Sequence, residues 1–149
     1  MKRLPVGIQV YGLRDLLENT PENFRSVMLQ IKEMDYDGVE LAGLYGLEPE
    51  FVKKTLDEIG LIPISAHVPL TEMMEDAKKV AETYQKIGVS YIAVPYLPEE
   101  YRPNTPGYET VLKEMARIRQ IRKEYGIKLE YHNNDFKFVR LLDGTLGID

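Results

Sequence analysis

"IPISAHVPL", residues 62–70, reads as a strand whose side chains alternate in character. Ile64, Ala66 and Val68 are apolar, while Ser65 and His67 between them are polar. Successive side chains of a strand point to opposite faces, so one face here is apolar and the other carries an imidazole. The same alternation recurs in other short apolar runs. Ile8 and Val10, Val39 and Leu41, Ile92 and Val94, and Leu129 and Tyr131 fall on one side. Gln9 and Tyr11, Glu40, Ala93 and Pro95, and Glu130 and His132 fall on the other.

Between these runs the periodicity is helical. Phe24, Val27, Met28 and Ile31 follow the 3.6 spacing, as do Ala77, Val80, Ala81, Tyr84 and Ile87, and Val111, Met115, Ile118 and Tyr125. Thr20-Pro21 is a helix start, Thr71 is placed to cap the helix after the third strand, and Gly60, Gly88 and Gly126 sit where helices exit. Strands beginning near residues 6, 38, 62, 90 and 127 therefore alternate with helices, which predicts βα units and a parallel sheet. Such units build either a doubly wound open sheet of flavodoxin type or part of a (β/α)8 barrel. An open sheet covered on both faces would bury Gln9, Glu40, His67 and Glu130 under helices, at several kcal/mol for each unpaired charge. A barrel packs the apolar face against its helices and keeps the polar face inside, rising to the mouth. The expected fold class is therefore α/β, a partial (β/α)8 TIM barrel of about five βα units.

The chain has 149 residues, 44% of them apolar, which suffices for one domain with a real core. A complete barrel typically needs about 250 residues. The expectation is a single incomplete barrel over residues 1–149, a half-barrel followed by a short hairpin or turn segment containing Asp143-Gly144 and ending on Asp149, a residue suited to cap a helix. Open strand edges invite pairing, so a homo-oligomer joined through those edges is expected rather than a lone monomer. No run approaches the length of a membrane span, no leader precedes the first strand, and cysteine is absent, which excludes disulfides and thiolate chemistry and suits a cytoplasmic protein. A net charge of −5 argues against a nucleic-acid surface. The densest basic run, "RIRQIRK" at 117–123, reads as the wet face of a helix because Ile118 and Ile121 interrupt it.

In a parallel barrel every strand ends on the same side. The groups brought there are Gln9 and Tyr11 with Arg14 beyond, Glu40, His67, Tyr96, and His132 with Asn133 and Asn134. A carboxylate, two imidazoles, phenols and amides suit a small polyhydroxylated ligand: amides and carboxylates pair with hydroxyls, and imidazoles move protons near neutral pH. Glu40 and His132 are also candidate ligands of a divalent ion. Each has a structural alternative. Glu40 is also suited to hydrogen bonding neighbouring strand backbone or a serine, His67 to a satisfied core position, Tyr96 to packing its Pro-rich loop, Arg14 to a surface pair with Asp15, and Asn133, Asn134 and above all Asp135 to forming the turn that ends the strand. No dinucleotide fingerprint, phosphate loop, nucleophile elbow or zinc-protease motif is present. "LAGLYG" at 41–46 lacks the glycine spacing of a phosphate cradle.

Taken in order, "GIQVYGLRD" (7–15), "DYDGVELAGLYG" (35–46), "IPISAHVPL" (62–70), "IGVSYIAVPYL" (87–97) and "YHNNDFKF" (131–138) resemble successive blocks of the sugar phosphate isomerase/epimerase family. That family has the xylose isomerase-like TIM barrel and is related to inosose dehydratases, ketohexose epimerases and abasic-site endonucleases. The resemblance runs through nearly the whole chain and covers the N-terminal part, just over half, of a typical member. It implies a divalent metal (Mn, Mg or Zn) at the mouth and metal-assisted proton transfer on a sugar or polyol. His67, His132 and Glu40 would be the catalytic groups, and Gln9, Tyr11, Arg14, Tyr96, Asn133 and Asn134 the substrate-binding ones. The family's last block usually reads Tyr-His-Asn-His-Asp-Phe-Glu-Phe. Here Asn134 replaces its second histidine and Lys137 its glutamate, and the later strands that supply most metal ligands lie beyond the blocks matched. Two readings follow: a sugar isomerase or epimerase weakened by these departures, or a non-catalytic half-barrel that associates through its edges.

Overall fold

The chain lays down five strands in strict sequence order, β1 (Gly7–Gln9), β2 (Gly38–Leu41), β3 (Ile62–His67), β4 (Tyr91–Val94) and β5 (Lys128–Tyr131), all parallel. The structure, a computed structural model, describes residues 3–17 and 20–132, and of Arg122 only the backbone. Order 1-2-3-4-5 without reversal excludes the doubly wound alternative, which needs a switch point in its sheet. The fold is a partial (β/α)8 barrel, as the alternation predicts.

Local signals act where the sequence puts them. A 3-10 turn (Val10–Leu13) and the one-turn helix α1 (Arg14–Leu17) leave β1. Thr20 caps α2 (Pro21–Glu33), its Oγ1 accepting the Asn23 N–H at 3.2 Å, with proline at the first helical position. Helices α3 (Pro49–Ile59), α4 (Leu70–Ile87) and α5 (Tyr108–Glu124) complete the layer. Gly60, Gly88 and Gly126 have φ of 80°, 95° and 67°, the left-handed exit that turns each helix into the next strand.

The core lies between this helical layer and one face of the sheet. Phe24, Met28 and Ile31 of α2, Val52 and Leu56 of α3, Met73, Val80 and Ile87 of α4 and Val111 and Ile118 of α5 are buried against Val39, Leu41, Ala66, Ile92 and Val94. Removing these side chains from water at about 25 cal/mol per Å² is the main force holding helices to strands. Ile118 within the basic run is buried while Arg117 and Arg119 face out, so that run is a wet helix face. No helix of the described residues is long and apolar enough to cross a membrane.

Two local expectations are corrected. Strict alternation puts Ile64 on the helix-facing side with Ala66 and Val68. Instead a bulge opens between β2 and β3: Val39 pairs with Pro63, Glu40 with Ser65, and Ile64 is the extra residue. Its Cδ1 lies over Gly7 and Gly38, where an added Cβ would meet it at 2.5 and 2.7 Å. Those glycines share the face of Gln9 and Glu40, so Ile64 points into the concave side and is 37% exposed. Nor is Thr71 the cap of α4. The helix starts after Pro69 with no side-chain cap, and breaks at Asp76 (φ −152°, ψ 78°). Asp76 Oδ1 accepts the Lys79 N–H at 3.0 Å and caps the second half itself.

Candidate functional site

The bulge decides which side chain faces Glu40. By bringing Ser65 instead of Ile64 opposite it, the sheet forms a row Gln9–Glu40–Ser65 on the concave face, with His67 one step further along β3. Every member of the row touches Glu40. Gln9 Nε2 donates to Oε1 at 2.6 Å, Ser65 Oγ donates a short bond to Oε2, and His67 Nε2 lies 3.2 Å from Oε1. Gln9 Nε2 is also 3.4 Å from His67 Nε2. Burial alone would raise the Glu40 pKa, but hydrogen bonds from Ser65 and Gln9, and then the imidazoles of His67 and His132, outweigh it and hold the carboxyl below its ordinary range. Glu40 is thus a fixed anion that orients an amide and an imidazole. Of the structural alternatives, strand backbone or a serine, the serine is one of its partners, beside Gln9 and His67.

His67 pairs in register with Ala93, whose small side chain leaves room above β4. Across that gap His132 meets it edge to face, ring centroids 5.7 Å apart at 66°. The His132 backbone N–H donates to Val94 O at 3.0 Å, which fixes the residue at the end of β5. Two histidines 65 positions apart in sequence therefore become neighbours because parallel strands all end on one side.

A cavity of about 520 Å³ opens at this end of the sheet. Gln9, His67 and His132 supply its polar floor, and Tyr11 and Tyr96, about half exposed, stand at its rim. Ala42, Gly43, Pro69 and Pro95 give small or apolar wall. Glu40 does not line this space and acts one layer behind it. Arg14 is turned aside: its guanidinium lies 4.5 Å over the Tyr11 ring, donates to Tyr11 O at 3.0 Å and sits 4.0 Å from Asp15. The lining residue that sequence reasoning missed is Glu72, in the first turn of α4. Its position just after the third strand's mouth loop was the available signal, since such loops carry function in barrels. Asn133, Asn134, Asp135, Lys137 and the Asp143-Gly144 turn lie outside the described residues.

The donors among the described residues do not make up a divalent-ion site. Among the described residues no three His, Cys, Asp or Glu side chains assemble into a metal-holding group. Both Glu40 oxygens are engaged and His67 Nε2 faces that same carboxylate, so Glu40 and His132 do not compose the implied metal site.

No protein-family model matches the chain, and no curated protein matches it. Solved structures do. They include a sugar phosphate isomerase/epimerase from Parabacteroides distasonis, at 23% identity and TM-score 0.76 over 95% of this chain and 55% of that one. A D-allulose 3-epimerase from Methylomonas sp. in complex with D-allulose matches at 17% identity and TM-score 0.65, covering 88% of this chain and 51% of that one. IOLI protein with a bound zinc atom matches at 15% identity and TM-score 0.62, covering 86% and 51%. The chain spans about half the length of these structures. At such identities the likeness establishes the fold alone, a partial TIM barrel as expected from the sequence.

Proposed function

We propose that this chain forms the sugar- or polyol-binding half of an isomerase- or epimerase-type barrel mouth, with His67 and His132 as its proton carriers. The observation that carries the reading is the paired imidazoles at the floor of a cavity, one of them locked from behind by the Gln9–Glu40–Ser65 row. Isomerisation or epimerisation of a sugar removes a proton from the carbon beside a carbonyl and returns it at a neighbouring position or on the opposite face. Two adjacent imidazoles suit that exchange, because an imidazole can serve as either the acid or the base of a proton transfer. Glu40 fixes the Nε2 side of His67, and Gln9 and the rim tyrosines hold and stack the ligand; Asn133 and Asn134 are further ligand contacts in this reading, on the sequence resemblance alone. The solved neighbours named for sugar phosphate isomerase/epimerase and D-allulose 3-epimerase activity support the reaction class. A divalent metal would need donors beyond the described residues, and no step here passes through one. A cytoplasmic location belongs to this proposal, and the cysteine-free sequence is compatible with it.

The test is solvent exchange. Ketoses incubated with the protein in D2O should gain deuterium at the carbon beside the carbonyl, and His67→Gln should abolish the gain while ligand binding persists. Binding without exchange in the parent protein would discard the proton-transfer role.

A second reading has its own support. Apolar side chains Ile62 and Ile64 are exposed at the other end of the concave face, and β1 has one strand neighbour only among the described residues. These features suit a half-barrel, residues 1–149 as a single domain, that pairs with another copy of itself without chemistry of its own.

A further inference from the structure

The charges around the cavity say which kind of sugar it takes. Among the described residues its lining contains one carboxylate, that of Glu72, and no lysine or arginine. Glu72 is exposed and makes no hydrogen bond or ion pair among the described residues. Its oxygens are therefore open to donors from a ligand. Glu40, one layer behind, adds a second negative charge on the same side, held ionised by its bonds to Ser65 and Gln9. The cation that the sequence puts at this rim, Arg14, is occupied by Tyr11 and Asp15 and is not part of the lining. Phosphoryl groups are ordinarily recognised by arginine forks, lysines or clusters of backbone N–H groups. The side chains of this mouth offer the reverse: the charges of Glu72 and Glu40 repel a dianion, and Glu72, with its oxygens open, accepts hydrogen bonds from hydroxyls.

We propose that Glu72 is a specificity-determining residue that reserves this half of the mouth for the uncharged, hydroxyl-bearing end of an unphosphorylated sugar or polyol. Glu72 accepts hydrogen bonds from ligand hydroxyls, while the field of Glu72 and Glu40 turns away a terminal phosphate. The inference rests on the sugar-binding reading above and refines it.

The experiment compares matched pairs, free ketopentoses and ketohexoses against their terminal phosphate esters, by chemical-shift titration of the full chain. It is run at low ionic strength and pH 8, above the range in which imidazoles ordinarily carry charge. The expected result is that free sugars bind more tightly than their esters. Glu72→Gln should narrow that ratio by about tenfold, chiefly by strengthening the esters, and added salt should narrow it in the parent protein. Glu72→Lys should reverse the preference. Because Glu72 is exposed, neither variant removes core packing, and an unchanged far-UV spectrum confirms this. Esters binding as well as free sugars in the parent protein, or a ratio indifferent to both substitutions, would overturn the role of Glu72. If no member of any pair binds, the sugar-binding reading itself fails.

Discussion

Single residues decide the electrostatics of the mouth, and Glu40 is the test case. Its folded-state pKa lies below the ordinary carboxylate value, so it stabilises the fold fully above about pH 4.5 and loses that contribution as pH falls through the lowered value. Ser65→Ala removes one of the bonds that lower it. With the Glu40 pKa moved back toward its unfolded value, the acid limb of the stability profile should be shallower and finish at higher pH, and near neutrality the variant should lose about 1–3 kcal/mol through the partner taken from a part-buried carboxylate oxygen. Denaturant melts from pH 3 to 7 would show both effects, and superimposable profiles would remove Ser65 from the network. The glycines beneath Ile64 give a sharper steric test. A methyl at Gly7 meets the Ile64 Cδ1 at 2.5 Å and nothing else closer than 3.5 Å, so Gly7→Ala should destabilise by about 1 kcal/mol and be rescued by Ile64→Val. A methyl at Gly38 also meets the Ile62 carbonyl oxygen at 2.6 Å, so Gly38→Ala should resist the same rescue. Rescue of both would mean that the bulge backbone gives way.

Elements were legible in proportion to how local their causes are. The period-2 pattern of the strands, the glycine exits and the Thr20-Pro21 start are written in adjacent residues, and all appear in the structure. The same pattern separated barrel from open sheet, because polar residues such as Gln9 and Glu40 had to face away from the helices. The bulge was not legible, since the register shift is settled between two strands: Pro63 has no N–H to give the ladder, and Gly7 and Gly38 leave the space into which Ile64 turns. The break in α4 was also hidden, as its apolar spacing continues smoothly past Asp76. At the cavity, the place of Gln9, His67 and His132 in the lining was legible because strand ends share a side, whereas that of Glu72 was not because it lies on a helix. Asp76→Ala tests the internal cap. It should cost about 1 kcal/mol in denaturant stability, in the range of other lost N-caps, and Asp76→Asn should recover most of it. Equal losses in both variants would show that the charge of Asp76, and not its bond to Lys79, holds the break.

At the scale of the molecule, the helical layer covers only one face of the sheet. The concave face is polar toward the mouth and apolar at the opposite end, where Ile62 is 60% exposed, and Val6 (48%) and Leu4 (83%) are exposed in the segment leading into β1. Such side chains cluster where β1 also presents a backbone edge with no strand on its outer side among the described residues. Unpaired strand donors and acceptors beside exposed isoleucines attract another sheet edge, and a net charge of −5 is a modest barrier to it. Self-association should therefore be driven from this end, with the mouth and its imidazoles left accessible. Sedimentation velocity should show a species whose mass rises with concentration. Ile62→Lys should shift it toward monomer by placing a charge at the contact, with little loss of stability because the native side chain is mostly exposed. Its solvent-exchange activity on ketoses should match that of the parent protein, since Ile62 lies at the opposite end of β3 from His67. A parent chain that stays monomeric at every concentration would sink edge-driven association. Exchange activity lost together with the oligomer would show instead that a second copy completes the mouth.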